Sequence, residues 1–451
     1  MNAFDQKPPL ILSALCLSVL TACSSTSFNA STQNPPIKVV HATTLNQAPA
    51  QTVMTPVQPA HVVQTQPFIH AQPANKPMMP LDYADFDDWK RDFIHRAIAQ
   101  GHDSATVYSL MNKAAFSQRI IELDRSQAEF IKMPWEYVNS AVSSNRVAQG
   151  RAKIAQYPVT FNNIQTSYGV PKEIVAAIWG MESSFGVAMG NIDLVDALSS
   201  LAYDGRRREF AENQLFAMLK MLNRGDASLT QFKGSWAGGM GHTQFIPSTW
   251  IQEGVDGNQD GQISPWGIGD SLNSTASYLK NAGWITGLSP YYEIRLPSNF
   301  DYQLLNTKQS FDTWQQLGLT STTGEYFSGD LLAELWLPAG IGGPALLLTP
   351  NFDVIRVYNN STSYALAVSL LAKHLSGGDG LTASWPTHEE PLSRTQVQIL
   401  QRKLTEQGFD TGGVDGIAGV NTRRAFARWQ STNGQIPDGF ISQNSASRLI
   451  W

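Results

Sequence analysis

The sequence predicts a mainly α-helical protein with a small β insertion and a separate small helical domain at its C-terminal end. Between residues 81 and 375, apolar side chains recur at helical spacing, as at Trp89, Phe93 and Ile94. Long β-alternation is scarce, and residues 292–296 form the best candidate strand. We therefore expect helices around one core, with a short sheet inserted.

The C-terminal part begins after a polar, glycine-rich joint at residues 376–390. Residues 391–451 are predicted to form a compact unit of three helices. Its amphipathic stripes consist of Val397, Leu400, Leu404 and Phe409 and of Ala425, Phe426 and Trp429.

Composition excludes one class of partner. The 451 residues carry a net charge of -5, and only 15% of them are charged, so no basic surface is predicted. Because nucleic-acid binding depends on clustered Lys and Arg, nucleic acid is not an expected partner. The hydrophobic content of 42% is typical of a folded chain.

The N-terminal residues 1–22 have the features of a lipoprotein signal peptide. An apolar run ends in LTAC at residues 20–23, and it is shorter than the roughly 20 residues that a membrane-spanning helix needs. LTAC resembles the lipobox of bacterial lipoproteins, in which cleavage precedes a cysteine that is then acylated, here Cys23. Ser24 in place of Asp indicates the periplasmic face of the outer membrane in a Gram-negative envelope. The alternative is an ordinary signal peptide in which Cys16 and Cys23 are incidental.

Residues 23–80 are predicted to be a disordered tether. They are rich in Pro, Gln, Thr, Ala and Ser and contain no acidic residue, so they cannot bury enough apolar surface to offset the entropy of ordering. His41, His61 and His70 are too widely spaced to indicate a metal site, and solvated linker residues are the better interpretation.

Glu182 is the candidate catalytic residue. A helix with Pro171 in its first turn places Ile174, Ile178 and Glu182 on one face, four residues apart. A carboxyl buried on that face, without a cationic partner, has a raised pKa, as a general acid for a glycosidic oxygen requires. The alternative is an acidic residue near a helix end that faces solvent or an arginine.

Three longer motifs surround this residue. They are IWGMESSFG at 178–186, GSWAGGMGHTQFIPS at 234–248 and NFDVIRVYNNS at 351–361, which is followed by YALAV at 364–368. The three resemble, in order, the motifs of membrane-bound lytic transglycosylase B enzymes, a lysozyme-like family. The resemblance covers residues 81–375 and implies a lysozyme-like helical catalytic domain with Glu182 as acid and base.

The same resemblance implies a set of substrate-binding residues. Glycines in the second motif allow close backbone approach to a sugar, and polar side chains there can bind hydroxyl and acetamido groups. Two arginines in YDGRR at 203–207 suit lactyl and peptide carboxylates. The implied residues are Ser235, Gln244, Arg206, Arg207, Tyr278, Tyr358 and Tyr137.

The motifs offer only one obvious carboxylate, whereas ordinary glycosidases use two. The resemblance implies a reaction without water, which cuts the β-1,4 bond between N-acetylmuramic acid and N-acetylglucosamine in peptidoglycan. The muramic C6 hydroxyl attacks C1 of its own sugar and leaves a 1,6-anhydromuramic acid end. No cofactor is required for this chemistry. Two alternatives stay open: a hydrolytic muramidase of lysozyme type, and a non-catalytic protein that anchors to peptidoglycan.

A loop at residues 256–262, DGNQDGQ, predicts a structural calcium site. Oxygen ligands stand at positions 1, 3 and 5 as in an EF-hand, with glycine at position 6. Position 12 is Gly267 instead of Glu, and an acidic residue at position 15 matches a longer loop of the family. The expected ligands are Asp256, Asn258, Asp260, Gln262 and Asp270. The alternative is a turn without metal.

The C-terminal string GVDGIAGVNTR at 413–423 resembles the peptidoglycan-binding type 1 domain. Asp415 and Gly416 are expected in a turn, and Asn421 or Thr422 as the cap of the next helix. Peptidoglycan strands and, through Cys23, the membrane are therefore the expected partners, together with other cell-wall enzymes.

Overall fold

The computed structural model describes residues 83–126 and 133–451. Helices predominate in these residues, which confirms the predicted mainly α fold class. The predicted signal peptide and the whole predicted tether, with Cys23, lie outside the described residues. No helix in the described ranges combines the length and the apolar character needed to cross a membrane.

The helices of the N-terminal part are α1 Phe86–Ala99, α2 Ser104–Lys113, α3 Gln118–Ser126, α4 Pro134–Ala141, α5 Ser144–Gln156, α6 Pro158–Tyr168, α7 Lys172–Ser183, α8 Leu194–Asp204, α9 Arg208–Arg224, α10 Pro247–Glu253 and α11 Ile268–Asn281. Later in the chain follow α12 Phe311–Gln316, α13 Pro350–Tyr358, α14 Thr362–Leu375, α15 Arg394–Glu406, α16 Val420–Thr432 and α17 Ser447–Ile450.

The strands are β1 Ile192–Asp193, β2 Lys233–Gly234, β3 Tyr291–Arg295, β4 Lys308–Ser310, β5 Thr320–Ser321, β6 Leu332–Trp336 and β7 Ala345–Leu348. β1 pairs with β2, and the other five form an antiparallel sheet in the order β4-β6-β7-β3-β5. The predicted strand at 292–296 is thus β3, and the sheet around it is wider than that single strand indicated. Trp314, which is fully buried, packs in the core under this sheet.

The core of the helical domain surrounds α7. This helix buries side chains on nearly all sides, and α5, α6, α11 and α14 pack against it. The predicted apolar positions of α1 are buried, since Trp89 and Phe93 have no exposed surface and Ile94 is 8% exposed. A helix that is enclosed in this way can hold a polar group at its end in a fixed position.

The C-terminal unit has its own core of α15, α16 and α17. Both predicted apolar stripes line it, with Phe409 only partly buried. The predicted helix cap is wrong. Gly419 is the N-cap of α16, and the Thr422 hydroxyl instead receives a hydrogen bond from the Gln401 amide at 3.1 Å, because Thr422 is buried against α15.

The joint between the two parts is held against the sheet. Glu293 on β3 is 2% exposed, and its carboxylate accepts hydrogen bonds of 2.7 Å from the backbone N–H groups of Thr382 and Ala383. Nearby, Trp385 packs against Trp135 with 6.2 Å between ring centroids. The predicted joint is therefore irregular in backbone but well anchored.

A small apolar cluster joins α4 to the C-terminal unit. Met133 and Trp135 pack with Ala339 and Phe440, and the rings of Trp135 and Phe440 are 6.3 Å apart. Asp438 accepts a hydrogen bond of 3.2 Å from the backbone N–H of Ile341. The C-terminal unit thus contacts both the helical domain and the loop after β6.

Candidate active site

Glu182 lies in the last turn of α7. Pro171, expected inside the first turn, is the N-cap, with φ -58° and ψ 135°. After Ser183 the backbone turns sharply, because Ser184, Phe185 and Gly186 all have positive φ. Two of these residues are not glycine, so this turn is held by the surrounding packing rather than by local preference.

The Glu182 carboxyl is desolvated. The residue as a whole is partly exposed, whereas protein atoms enclose its carboxyl closely. Burial raises its pKa from the ordinary 4.5 to about 7, and the Tyr364 hydroxyl, which donates a hydrogen bond of 2.6 Å to Oε1, partly opposes that rise. No charged side chain of the described residues contributes to this shift. A carboxyl with a pKa near 7 can both give and accept a proton at neutral pH.

The first and second motifs are bonded to each other behind Glu182. The Trp179 indole N–H donates to Nδ1 of His242 at 3.2 Å, and the Ser183 hydroxyl donates to the His242 carbonyl at 2.5 Å. Burial lowers the pKa of His242, which keeps the ring neutral beside this helix end. Gly186 is required here, since a Cβ would lie 2.6 Å from the imidazole.

The two polar residues predicted in the second motif lie together. Ser235 Oγ accepts a hydrogen bond of 2.9 Å from Gly239 N–H, and the Gln244 amide donates to the carbonyls of Met189 and Gly241 at 2.9 and 2.8 Å. A Cβ on Gly239 would approach Gln244 Oε1 to 2.7 Å and Ser235 Oγ to 2.9 Å. Glycine at this position therefore lets both side chains approach the same turn.

The hydroxyls of Tyr358 and Tyr278, both implied as substrate-binding residues, are bonded to backbone carbonyls of the protein. Tyr358 is 9% exposed, its hydroxyl donates to the Thr243 carbonyl, and its ring meets those of Phe245 and Tyr278 edge-on. Tyr278 is partly buried, and its hydroxyl donates to Val357 O at 3.4 Å. Packing of the third motif against the second covers the ring of Tyr358. Tyr358 therefore holds these two motifs together.

Tyr364 is the site residue that the sequence prediction missed. Ser361 caps α14, and its side chain accepts the Tyr364 N–H, so Tyr364 stands in the first turn of that helix. Burial raises the pKa of Tyr364 well above its ordinary value, and the charge of Glu182 adds to this. The third motif contained this tyrosine, but nothing local distinguished it from the other tyrosines there.

Tyr137 on α4 is partly buried. Burial raises its pKa, and the negative charge of Glu182 adds to that rise. The charge of Glu182 likewise raises the pKa values of Tyr358 and Tyr364, and α4 packs against α14, which carries Tyr364. Among the described residues, no positive charge compensates that of the Glu182 carboxyl.

Arg206 and Arg207, predicted to bind substrate carboxylates, have a carboxylate partner within the protein. Both pair with Asp124 of α3, which is 5% exposed; Arg206 Nε donates to it at 2.9 Å and Arg207 Nη1 at 3.4 Å. Arg207 also stacks 4.3 Å over the ring of Phe210. These contacts compensate the buried carboxylate of Asp124 and leave other N–H donors of the pair available.

The candidate calcium loop turns its oxygens inward. Asp256 accepts from the N–H groups of Asp260 and Gly261 at 3.1 and 2.9 Å, and Asp260 accepts from Gln262 N–H at 2.8 Å. Asp270 is 1% exposed, and burial followed by the nearby charge of Asp260 raises its pKa.

Hard oxygen donors without a neighbouring cation fit a divalent ion. In residues 83–126 and 133–451, no three His, Cys, Asp or Glu side chains gather as a metal-binding group. A calcium ion in this loop would therefore also need amide and main-chain oxygens, such as those of Asn258 and Gln262.

Comparison with known proteins identifies the family. Residues 85–373 match the Transglycosylase SLT domain, and residues 393–449 match a Putative peptidoglycan binding domain. The chain belongs to the SLT transglycosylase family. This match confirms the resemblance found in the sequence, including the C-terminal domain.

Relatives of the transglycosylase agree with this assignment. The chain is 31% identical over 296 residues to membrane-bound lytic murein transglycosylase B of Escherichia coli strain K12. This match covers 62% of this chain and 80% of that protein. SltB3 of Pseudomonas aeruginosa, in complex with NAG-NAM-pentapeptide, is 42% identical with a TM-score of 0.78, covering 81% of this chain and 100% of that one. The E. coli transglycosylase Slt35, in complex with calcium, is 30% identical with a TM-score of 0.56, over 64% and 92%.

Replacing Tyr364 by Phe should raise the pKa of Glu182 further. The lost hydrogen bond stabilises the ionised carboxylate, and such bonds to charged groups contribute about 1.5–3 kcal/mol. At about 1.4 kcal/mol per pKa unit, we expect a rise of about one unit or more. NMR titration of a labelled Glu182 carboxyl measures it. Tyr278→Phe, which removes a hydroxyl bonded to Val357 O, is the control and should leave that pKa in place; equal titration in both variants would contradict the assignment.

Proposed function

We propose that this transglycosylase cleaves peptidoglycan strands through Glu182 alone. The observation that carries the proposal is a desolvated carboxyl of pKa about 7 beside Tyr364. Among the described residues, no second carboxylate influences its ionisation. Protonated Glu182 gives its proton to the oxygen that links N-acetylmuramic acid to N-acetylglucosamine, and the glycosidic C1–O bond breaks.

The second half of the reaction uses the resulting carboxylate as a base. It accepts the proton of the muramic C6 hydroxyl while that oxygen attacks C1, which forms the 1,6-anhydro ring and restores protonated Glu182. Attack within one sugar has a proximity advantage of up to about 7–11 kcal/mol in favourable cases. No cofactor enters these steps. The E. coli relative is named a lytic murein transglycosylase, and a P. aeruginosa relative was solved with NAG-anhNAM-pentapeptide, which support this product class.

Ser235 and Gln244 are proposed to bind the sugar hydroxyl and acetamido groups. They lie on the glycine-rich turn bonded to the end of α7, and both remain partly exposed. Tyr137 is proposed to line the same cleft. Tyr278 and Tyr358 then position the third motif instead of stacking on sugar.

Glu182→Gln should abolish strand cleavage while binding to sacculi persists, because Gln keeps the shape but cannot transfer the proton. Purified peptidoglycan is incubated with each protein, and soluble products are analysed by mass spectrometry. Wild-type products should lack one water relative to reducing ends, since no water enters. Reducing ends would instead indicate hydrolysis, and continued cleavage by Glu182→Gln would move the acid elsewhere.

The same variant has a second, activity-independent readout. A carboxyl with a pKa near 7 in place of 4.5 costs the folded state about 3 kcal/mol above pH 7 and nothing below pH 4. Glu182→Gln should therefore unfold at a higher temperature than wild type at pH 8 but not at pH 4. Glu173→Gln, at the other end of α7, is the control and should gain no such stability.

We propose that the loop at 256–262 binds a structural calcium ion outside the chemistry. The spacing of Asp256, Asn258, Asp260 and Gln262 in one loop supports this, as do the bonds from the loop N–H groups of Gly257 and Asn258 to Asp270 and the calcium complex of Slt35. Asp270 would tie the ion to α11, which packs on α7.

Calcium at 10 mM should raise the melting temperature of the wild type by about 3 °C or more, if the dissociation constant is about 0.1–1 mM. Asp260→Ala should remove this response. Asp301→Ala, which loses only a local hydrogen bond to Gln303 N–H, should keep it. A melting temperature indifferent to calcium in the wild type would refute the site.

We further propose that Cys23 carries a lipid that anchors the enzyme at the periplasmic face of the outer membrane. The LTAC string supports this, and the E. coli relative is described as membrane-bound. The C-terminal domain would then hold the enzyme at its polymer and raise its local concentration there. Other cell-wall enzymes are proposed as partners on the same polymer.

Cys23→Ser should lose incorporation of a labelled fatty acid in growing cells, whereas Cys16→Ser should keep it, because only Cys23 follows the cleavage position. Gel fluorescence after metabolic labelling measures both. Label retained in Cys23→Ser would contradict the anchor.

A further inference from the structure

His242 is enclosed behind the last turn of α7. The residue is 8% exposed, and its imidazole meets the indole of Trp179 edge-on, with 5.6 Å between the ring centroids. Its backbone N–H donates to the Pro265 carbonyl at 3.0 Å, in the loop before α11. On another side the imidazole fills the space that Gly186 leaves free. Contacts on three sides therefore confine the ring to one site.

The bond to Trp179 sets the protonation state of this imidazole. An indole N–H can only donate, so Nδ1 of His242 must offer its lone pair to Trp179, at 3.2 Å. The ring proton then belongs to Nε2, and the ring is neutral. An imidazolium carries a proton on both nitrogens and has no acceptor left. Protonation of His242 would therefore break this bond and set two N–H groups against each other.

The surroundings of the ring disfavour that protonation near neutrality. Burial lowers the pKa of His242 below the ordinary 6.5, and a hydrogen bond to the Trp266 backbone opposes this in part. The positive charge of Lys153 on α5 lowers the pKa further. In the part of the chain that the structure describes, no other charged side chain contributes to the shift. The imidazole thus gains a proton only in acid.

Trp179 and Ser183 are the two ends of the helical turn that contains Glu182. The indole of Trp179 is fully buried and is bonded to the His242 ring. The Ser183 hydroxyl donates to the His242 carbonyl at 2.5 Å. His242 therefore holds both ends of this turn, one through its side chain and one through its backbone. Because a helical turn moves as a unit, these two bonds fix where the Glu182 carboxyl stands relative to Tyr364.

We propose that neutral His242 is a positioning residue of this transglycosylase: it holds the turn that carries Glu182 and releases that turn when the imidazole is protonated. The inference rests on the proposed function, because the position of Glu182 matters only if its carboxyl transfers the proton. Glu182 alone explains a loss of activity above its pKa of about 7, where the acid form is depleted. A second loss, in acid, is what His242 adds.

The test measures kcat on soluble, uncross-linked glycan strands between about pH 4 and pH 9. For the wild type, kcat should fall on both sides of a maximum, by about tenfold for each pH unit below the pKa of His242, because one proton is gained. His242→Asn keeps an acceptor near the place of Nδ1 but does not titrate in this range. It should therefore keep nearly the wild-type kcat at neutral pH and lose the fall in acid.

A second variant removes the acceptor outright. His242→Phe fills the same space and should lower kcat about tenfold or more at every pH, with KM nearly unchanged, because a small misplacement of a catalytic group is costly. His102→Asn is the matched control. Burial lowers the pKa of His102 as well, but its ring stacks on Phe216 of α9. This control should reproduce the wild-type profile.

A further measurement needs no catalysis. Glu182→Gln removes the titration of the carboxyl, so that a change in acid belongs to His242. In this variant, the NMR signal of the Trp179 indole N–H should shift as the imidazole is protonated. When His242→Asn is added, the signal should stay in place.

The outcomes separate the inference from the proposed function. If the wild type cuts no strand at any pH, the proposed function fails and the inference fails with it. The inference alone is overturned if the wild type shows no fall in acid, if the fall persists in His242→Asn, or if the indole signal is indifferent to pH. A fall in acid that His242→Asn abolishes and His102→Asn retains supports it.

Discussion

The cost of removing water from one carboxyl is the constraint on which the site depends. Glu182 keeps a substantial protonated fraction near neutrality because burial, without a cation among the described residues to oppose it, raises its pKa to about 7. Such a carboxyl cannot be enclosed by α7 alone, because a single helix leaves its last turn open. The second motif holds the end of α7 through His242, and the third bonds the carboxyl itself through Tyr364. Three segments that are far apart in the sequence thus form the surroundings of one carboxyl.

Much of this arrangement could be predicted from the sequence. Helical periodicity located the core, as the burial of Trp89 and Phe93 shows, and the position of Glu182 on α7 followed from spacing. The sheet around β3 was harder to predict, because β4 and β5 are very short and partly polar. Strands of two or three residues carry no measurable alternation of their own and form only when longer neighbours pair with them.

Contacts between distant residues account for the remaining differences. Arg206 lies 82 positions from Asp124, so no local pattern could reveal that the arginine is paired. Similarly, the burial of Tyr358 results from the packing of α13 on the second motif. The glycines of the second motif did allow a prediction of close backbone packing from the sequence. Gly241 has a positive φ, and a Cβ there would lie 1.8 Å from the Pro265 carbonyl oxygen. A string of such residues indicates close backbone approach wherever it occurs.

Helix α4 contacts both the helical domain and the C-terminal unit. It packs against α14, which carries Tyr364 beside Glu182, while Trp135 on α4 packs on Phe440 of the C-terminal unit. The joint between the units is anchored as well, through Glu293. The C-terminal unit and the helices around Glu182 therefore share α4 as a common support, so that the placement of one constrains the placement of the other.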